Sequence, residues 1–316
     1  MKNCVSATEL PTNSPLSLLE QLFECKVLLN QGDDVQQKME ALVKSLRETL
    51  TPMERVHLAR HPDRPNIEMI EKSLFTDFVE LHGDRRFGDD PAIYGGIGQF
   101  NGRSCMLIGH HKGVDAADRV RRNFGMAHPE GYRKALRLAK LAERFSIPIL
   151  FVVDTPGAHS NLDSEKRGQG MAIAENIYEL SGLQVSMIAL VIGEGSSGGA
   201  LAIGVADRVL MLENSVYSVI SPESCASILW RCSTKKEIAA KNLHLDAPFL
   251  LKSEIIHEVI EEPFGSAHLD PIGTIAAIKE TLIRQFKELD ELSIEELMEQ
   301  RYRFFRKIGE VSDCSN

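Results

Sequence analysis

Residues Leu190 to Gly204 read LVIGEGSSGGALAIG, and three different chemistries compete for them. Gly193, Gly195 and Gly198 spell G-x-G-x-x-G, in which a glycine turn cradles a dinucleotide pyrophosphate and Glu213, at the end of the next strand, would hold a ribose hydroxyl. Gly195, Ser197 and Gly199 spell G-x-S-x-G, with Ser197 as a nucleophile served by Asp246 and by His257 or His268. Read as bare backbone, Ser197, Gly198 and Gly199 open a short helix, and the amides of Gly198 and Gly199 would face a developing negative charge. The dinucleotide pattern sits deep in the chain behind an antiparallel hairpin, which is not where a nucleotide domain opens. The serine pattern has no bulky neighbour to fix the serine rotamer. The bare turn needs neither a side-chain base nor a bound phosphate.

Ligands in α/β folds collect beyond the carboxyl ends of strands. A second loop, DTPGAHSNLDSEKRGQG at 154–170, leaves another aliphatic strand and also sets glycine beside small residues. Its His159 is a candidate acid or base, although a single loop histidine is as readily a packing residue. The basic residues Lys112, Arg119, Arg121 and Arg122, and Lys166 and Arg167 in the loop, would meet phosphates, a transferred carboxylate or an acidic partner. The alternative is that they are solvated charges or ion pairs.

These loops need strands and helices to carry them. Asn101-Gly102 between AIYGGIGQF and RSCMLIGHH predicts a hairpin. Helix PEGYRKALRLAKLAERF then precedes strand IPILFVVD, helix GMAIAENIYELS precedes strand VSMIALVIG, and a short helix from Gly198 precedes strand RVLMLE. The strands are almost purely aliphatic, as strands covered on both faces are. Ser17 to about Leu58 predicts two amphipathic helices split at NQGDD, and Asp270 to about Ile308 predicts one long helix or a pair. Residues 1 to about 14 read as a loose polar end.

The chain has 316 residues, 43% hydrophobic and 26% charged, which is enough for one large core or two modest ones. A formal net charge of -9 argues against a nucleic-acid surface as its whole role. Six cysteines, at 4, 25, 105, 225, 232 and 314, form no C-x-x-C pair, so neither a zinc ribbon nor a disulfide framework is expected. No apolar run approaches the roughly 20 residues of a membrane span, and the start lacks a signal-peptide core. A cytoplasmic location is the expectation.

Six blocks, in order, carry a resemblance: ARHPDRP (59–65), GDRRFGDDPAIYGGIG (83–98), RRNFGMAHPEGYRKALRLAKLAERF (121–145), DTPGA (154–158), IGEGSSGGALAIG (192–204) and YSVISPESCASILW (217–230). From about Leu58 to the C-terminal helix the chain resembles the carboxyltransferase alpha subunits of bacterial acetyl-CoA carboxylases. The resemblance implies an α/β fold of the crotonase-like (ClpP/crotonase) type, a superhelix of ββα units with flanking helices. It implies an N-terminal helical segment at 1–58 and a carboxyltransferase domain with C-terminal helices at 59–316.

It further implies transfer of a carboxyl group from carboxybiotin, on a biotin carboxyl carrier protein, to acetyl-CoA, giving malonyl-CoA in the first committed step of fatty acid biosynthesis; the rivals are a stand-alone crotonase-like acyl-CoA hydrolase or decarboxylase using Ser197 or His159, and a catalytically weak scaffolding alpha subunit. The implied partners are a beta subunit in an α2β2 assembly and the biotin carboxylase of the wider complex. Zinc is expected only on the beta subunit, and this chain is expected to hold no metal or cofactor of its own. The family's biotin-side oxyanion donors fall on Gly198 and Gly199. Gly157 and Ala158 would add main-chain donors, and Ser197, Lys112, Arg121 and Arg122 substrate contacts. The chain departs from the family pattern at His159, Ser160 and Asn161, where Tyr-Pro-Gly is usual, and at Ser224 and Ser266, where glycine is usual.

Overall fold

The computed structural model of the protein describes residues 15–27 and 33–309. The polar end at 1–14 and most of the NQGDD break lie outside them. The elements run α1 (Pro15–Val27), α2 (Asp33–Thr49), α3 (Pro52–Ala59), α4 (Ile67–Leu74), β1 (Phe75–Glu80), β2 (Ile93–Phe100), β3 (Arg103–His110), α5 (Ala116–Arg121), α6 (Pro129–Arg144) and β4 (Ile149–Thr155). They continue with α7 (Leu162–Lys166), α8 (Gln169–Gly182), β5 (Met187–Ser196), α9 (Ser197–Leu201), β6 (Arg208–Leu212), β7 (Val216–Ser218), α10 (Pro222–Trp230), α11 (Lys236–Leu243) and α12 (Ala247–Lys252). The chain closes with β8 (Glu258–Ile260), α13 (Pro271–Asp290) and α14 (Ile294–Lys307).

The strands form one sheet in the order β1-β2-β3-β4-β5-β6-β8, with β7 also paired to β5. Its first two pairings are antiparallel and the rest parallel. The β2–β3 hairpin turns at Asn101 (φ 48°) and Gly102 (φ 79°), the double left-handed step that an Asn-Gly turn supplies. Alternate residues of each central strand face opposite cores. Met106, Phe151, Ala189 and Val191 pack with Leu138 of α6 and Leu180 of α8, while Leu107, Leu150, Ile188 and Leu190 pack with Ile70 of α4 and Ile278 of α13. Both faces are covered, so the strands need to be apolar throughout, and all ten residues of β5 are buried.

One expectation meets a different outcome, one open alternative is decided, and one pair of elements is new. The stretch from Ser17 to Leu58 holds three helices rather than two, because Thr51 caps a fresh start at Pro52 and exchanges hydrogen bonds with Glu54. The C-terminal stretch is a pair, since Ser293 and Glu296 form a second capping box that restarts the chain. Helix α4, with Ile67, Ile70 and Leu74 buried, runs directly into β1, two elements the sequence pattern does not signal. Helices α1 and α2 meet through Leu18, Leu22, Met39 and Leu46, against Phe264 and Leu269. Among the described residues no helix is long and apolar enough to cross a membrane.

Candidate active site

Strand β5 delivers its last residue, Ser196, into a tight turn. Ser197, the first residue of α9, has φ 57°, a left-handed conformation that turns the chain sharply as the helix begins. The amides of Gly198 and Gly199 therefore fall in the first turn, where no helical carbonyl precedes them, and neither donates to another described residue. Gly199 is buried, and a Cβ there would lie 2.6 Å from both the nitrogen of Ala158 and the carbonyl carbon of Gly157. Only glycine lets α9 approach the 157–158 backbone this closely. Gly198 is freer, its nearest neighbour to such a Cβ being Ile173 at 3.4 Å.

The facing loop has its own bonds. The Thr155 hydroxyl accepts from the Gly157 amide at 3.1 Å and donates to the Gly157 carbonyl at 2.8 Å. The His159 amide donates to the Ala127 carbonyl at 3.0 Å. Gly157 is therefore already committed, whereas the Ala158 amide, beside Gly199, donates to no described residue. The amides of Ala158, Gly198 and Gly199 are thus all uncommitted at this turn. Beside it a groove of ≈ 380 Å³ is lined by Ser197 and Gly198 and floored by Leu201, Tyr217, Leu250 and Ile255.

The altered residues of this loop carry structure. Asn161 caps α7 through the Ser164 amide at 2.7 Å. His128 and His159 both reach the Ser164 hydroxyl, at 2.7 and 3.3 Å, with their rings 4.4 Å apart. Burial first, then the neighbouring His128, lowers the pKa of His159 and favours its neutral form.

The basic residues separate into different roles. Lys112 Nζ lies 2.7 Å from Asp154 and 2.9 Å from Glu194, joining the ends of β4 and β5. Burial would lower its pKa, but the two carboxylates outweigh this and raise it. Arg60 completes the cluster, 2.7 Å from both Glu194 and Glu223, a role that sequence reading missed because its partners lie more than 130 residues away. Arg121 and Arg122 are both paired with Asp118, at 2.5 and 3.0 Å. Arg119 has no side-chain partner among the described residues and lines a ≈ 300 Å³ cavity with Arg60, Lys112 and Glu194. Arg167 is bound to Glu130 at 2.6 Å.

Neither rival motif assembles. The Ser197 hydroxyl bonds to no described residue. Asp246 caps α12, His257 accepts from the Val209 amide at 3.0 Å, and His268 bonds Ser266 while stacking on His61. Glu213, the would-be ribose ligand, is held by Arg47 at 2.6 Å and by the Glu262 amide at 3.1 Å. What remains is a set of uncommitted amides at a turn beside an apolar groove, a donor set able to hold an oxyanion.

Comparison with known proteins gives the family and the fold. The alpha subunit of the acetyl-coenzyme A carboxylase carboxyl transferase of Fusobacterium nucleatum subsp. nucleatum is 52% identical over 267 residues, covering 84% of this chain and 85% of its own. The subunit of the same name from Geobacter metallireducens is 48% identical over 317 residues, covering 98% and 99%. Among solved structures, the beta subunit of P. aeruginosa geranyl-CoA carboxylase superposes with a TM-score of 0.57 at 16% identity, over 80% of this chain and 45% of its own. A Pseudomonas malonate decarboxylase hetero-tetramer chain gives 0.56 at 17% identity, over 68% and 86%. These two establish a shared crotonase-like fold. Residues 19–309 match the family described as acetyl co-enzyme A carboxylase carboxyltransferase-like, and the chain belongs to that family.

Proposed function

We propose that this chain is the alpha subunit of an acetyl-CoA carboxyltransferase, forming malonyl-CoA with a carboxyl group delivered on the biotin of a separate carrier protein. The observation that carries the reading is the pair of uncommitted amides at Gly198 and Gly199, edged by that of Ala158. Carboxybiotin supplies both the carboxyl group and, once it is lost, a basic ureido anion able to take the proton from the acetyl methyl. The protein's task is then electrostatic. Gly198 and Gly199 hold the ureido oxygen as charge builds on it, and each such donor is worth about 3 kcal/mol in the transition state. The groove floored by Leu201, Tyr217, Leu250 and Ile255 receives the apolar part of the ring system and excludes water.

The cluster of Lys112, Asp154, Glu194 and Arg60 keeps the ends of β4 and β5 in register, and so holds the two loops at a fixed spacing. A beta subunit of the same fold supplies the thioester half of the site in an α2β2 assembly in the cytoplasm, where biotin carboxylase recharges the carrier. Product analysis tests the reaction class. With acetyl-CoA, a carboxybiotin donor and the partner subunit, malonyl-CoA should appear without free coenzyme A thiol. Thiol release without malonyl-CoA would overturn the reading in favour of a hydrolase.

A further inference from the structure

His110 closes β3, directly under the turn that opens α9. It is 1% exposed, and neither ring nitrogen has a hydrogen-bond partner. The ring faces the carbonyls of Gly199 and Val152 without closing a bond to either. The Gly199 carbonyl is itself uncommitted to the helix, because the Ala202 amide bonds Gly198 and the Ile203 amide bonds Ala200. A buried donor left unmade costs about 1–3 kcal/mol, and a purely space-filling position would be served without that cost by leucine or phenylalanine. Burial, with the nearby Lys112 charge, pushes the His110 pKa down to about 3. The ring is therefore neutral at physiological pH and carries a single N–H.

We propose that His110 is a positioning residue for the oxyanion turn: its imidazole N–H bonds the Gly199 carbonyl when an anion is held, anchoring the C-terminal side of Gly199 and so restraining its backbone torsions, which keeps the preceding amides of Gly198 and Gly199 aimed at one oxygen. Bonds of this kind are often long in the free protein and tighten with substrate, and a bonded carbonyl polarises the chain of dipoles beyond it. The inference rests on the reading of Gly198 and Gly199 as oxyanion donors. The sequence offered two adjacent histidines here, and the other, His111, is engaged by Glu68 at 3.1 Å.

The test compares His110→Phe and His110→Gln in the complex with the zinc-bearing partner subunit. His110→Phe should keep the wild-type melting temperature to within a few degrees and leave KM for malonyl-CoA unchanged, while kcat falls roughly 10- to 100-fold. His110→Gln, which restores a donor, should recover most of that loss. Wild-type kcat in His110→Phe, or a glutamine variant no better than phenylalanine, would overturn the proposal. A wild-type complex without transfer would contradict the functional reading instead. The pairing is then read from the imidazole 15N spectrum of the complex with malonyl-CoA and biocytin present, where a slowly exchanging N–H should persist from about pH 5.5 to 8 and vanish in His110→Gln. Absence of that signal in the wild type overturns the pairing.

Discussion

Gly199→Ala is the most informative single change, because one methyl group meets only backbone. Its Cβ would lie 2.6 Å from the Ala158 nitrogen and the Gly157 carbonyl carbon, well inside van der Waals contact, so either α9 or the 157–158 loop must retreat. A retreat approaching an ångström carries the Gly199 and Ala158 amides out of range of a shared oxygen. Loss of one oxyanion donor is worth about 3 kcal/mol, or 10²- to 10³-fold in kcat, whereas the overpacking itself should cost about 1–3 kcal/mol of stability. The matched control is Gly198→Ala, whose Cβ finds Ile173 at an ordinary 3.4 Å. Carboxyl transfer from malonyl-CoA to biocytin, assayed with the partner subunit and alongside thermal melting, should show Gly199→Ala folded but nearly silent. Gly198→Ala should lose less than about tenfold. A Gly199→Ala enzyme with wild-type kcat, or equal losses in both variants, would refute the argument from close approach.

Other consequences concern the alternatives and the frame. Ser197→Gly relieves the left-handed φ of 57° and removes a hydroxyl with no base, so transfer should stay within about threefold; a serine nucleophile would instead lose at least about 10³-fold. Arg301 on α14 binds Asp207 at 2.8 Å and the carbonyls of Leu180, Leu183 and Val185 at the end of α8, with both charged groups buried. Arg301→Met should cost about 3–5 kcal/mol in urea unfolding, and a loss below about 1 kcal/mol would contradict its bracing role. For Asp84, burial alone would raise the pKa, but the amides of Arg86, Phe87 and Gly88, together with Arg133, outweigh it and hold it at about 2. That stabilisation is complete above the ordinary carboxylate pKa near 4 and is lost as pH falls through about 2. Asp84→Asn should therefore cost about 2 kcal/mol at neutral pH and flatten the acid limb of the stability curve.

How much could be read in advance depended on how local the cause was. The Asn101-Gly102 hairpin and the aliphatic strands were legible because their signals lie in consecutive residues. The Gly198–Gly199 turn was located correctly, but the difference between the two glycines was not, since it comes from Gly157 and Ala158 some forty residues earlier in sequence and beside them in space. The break at Thr51 was present as a capping box and was overrun by apolar spacing that continued through it. Helix α4 and strand β1 escaped because the chain passes from one to the other at Phe75 with no turn residue between. Charges were the least legible feature: the sequence groups Lys112 with Arg121 and Arg122, whereas the fold gives Lys112 to Asp154 and Glu194 and the arginines to Asp118.

The central claim is that this chain supplies half of a site that another subunit completes. Its most direct test measures carboxyl transfer from malonyl-CoA to biocytin with this protein alone, with a zinc-bearing beta subunit alone, and with the two mixed. A split site predicts turnover only in the mixture. Turnover by this chain alone would contradict it and point to a self-contained crotonase-type enzyme.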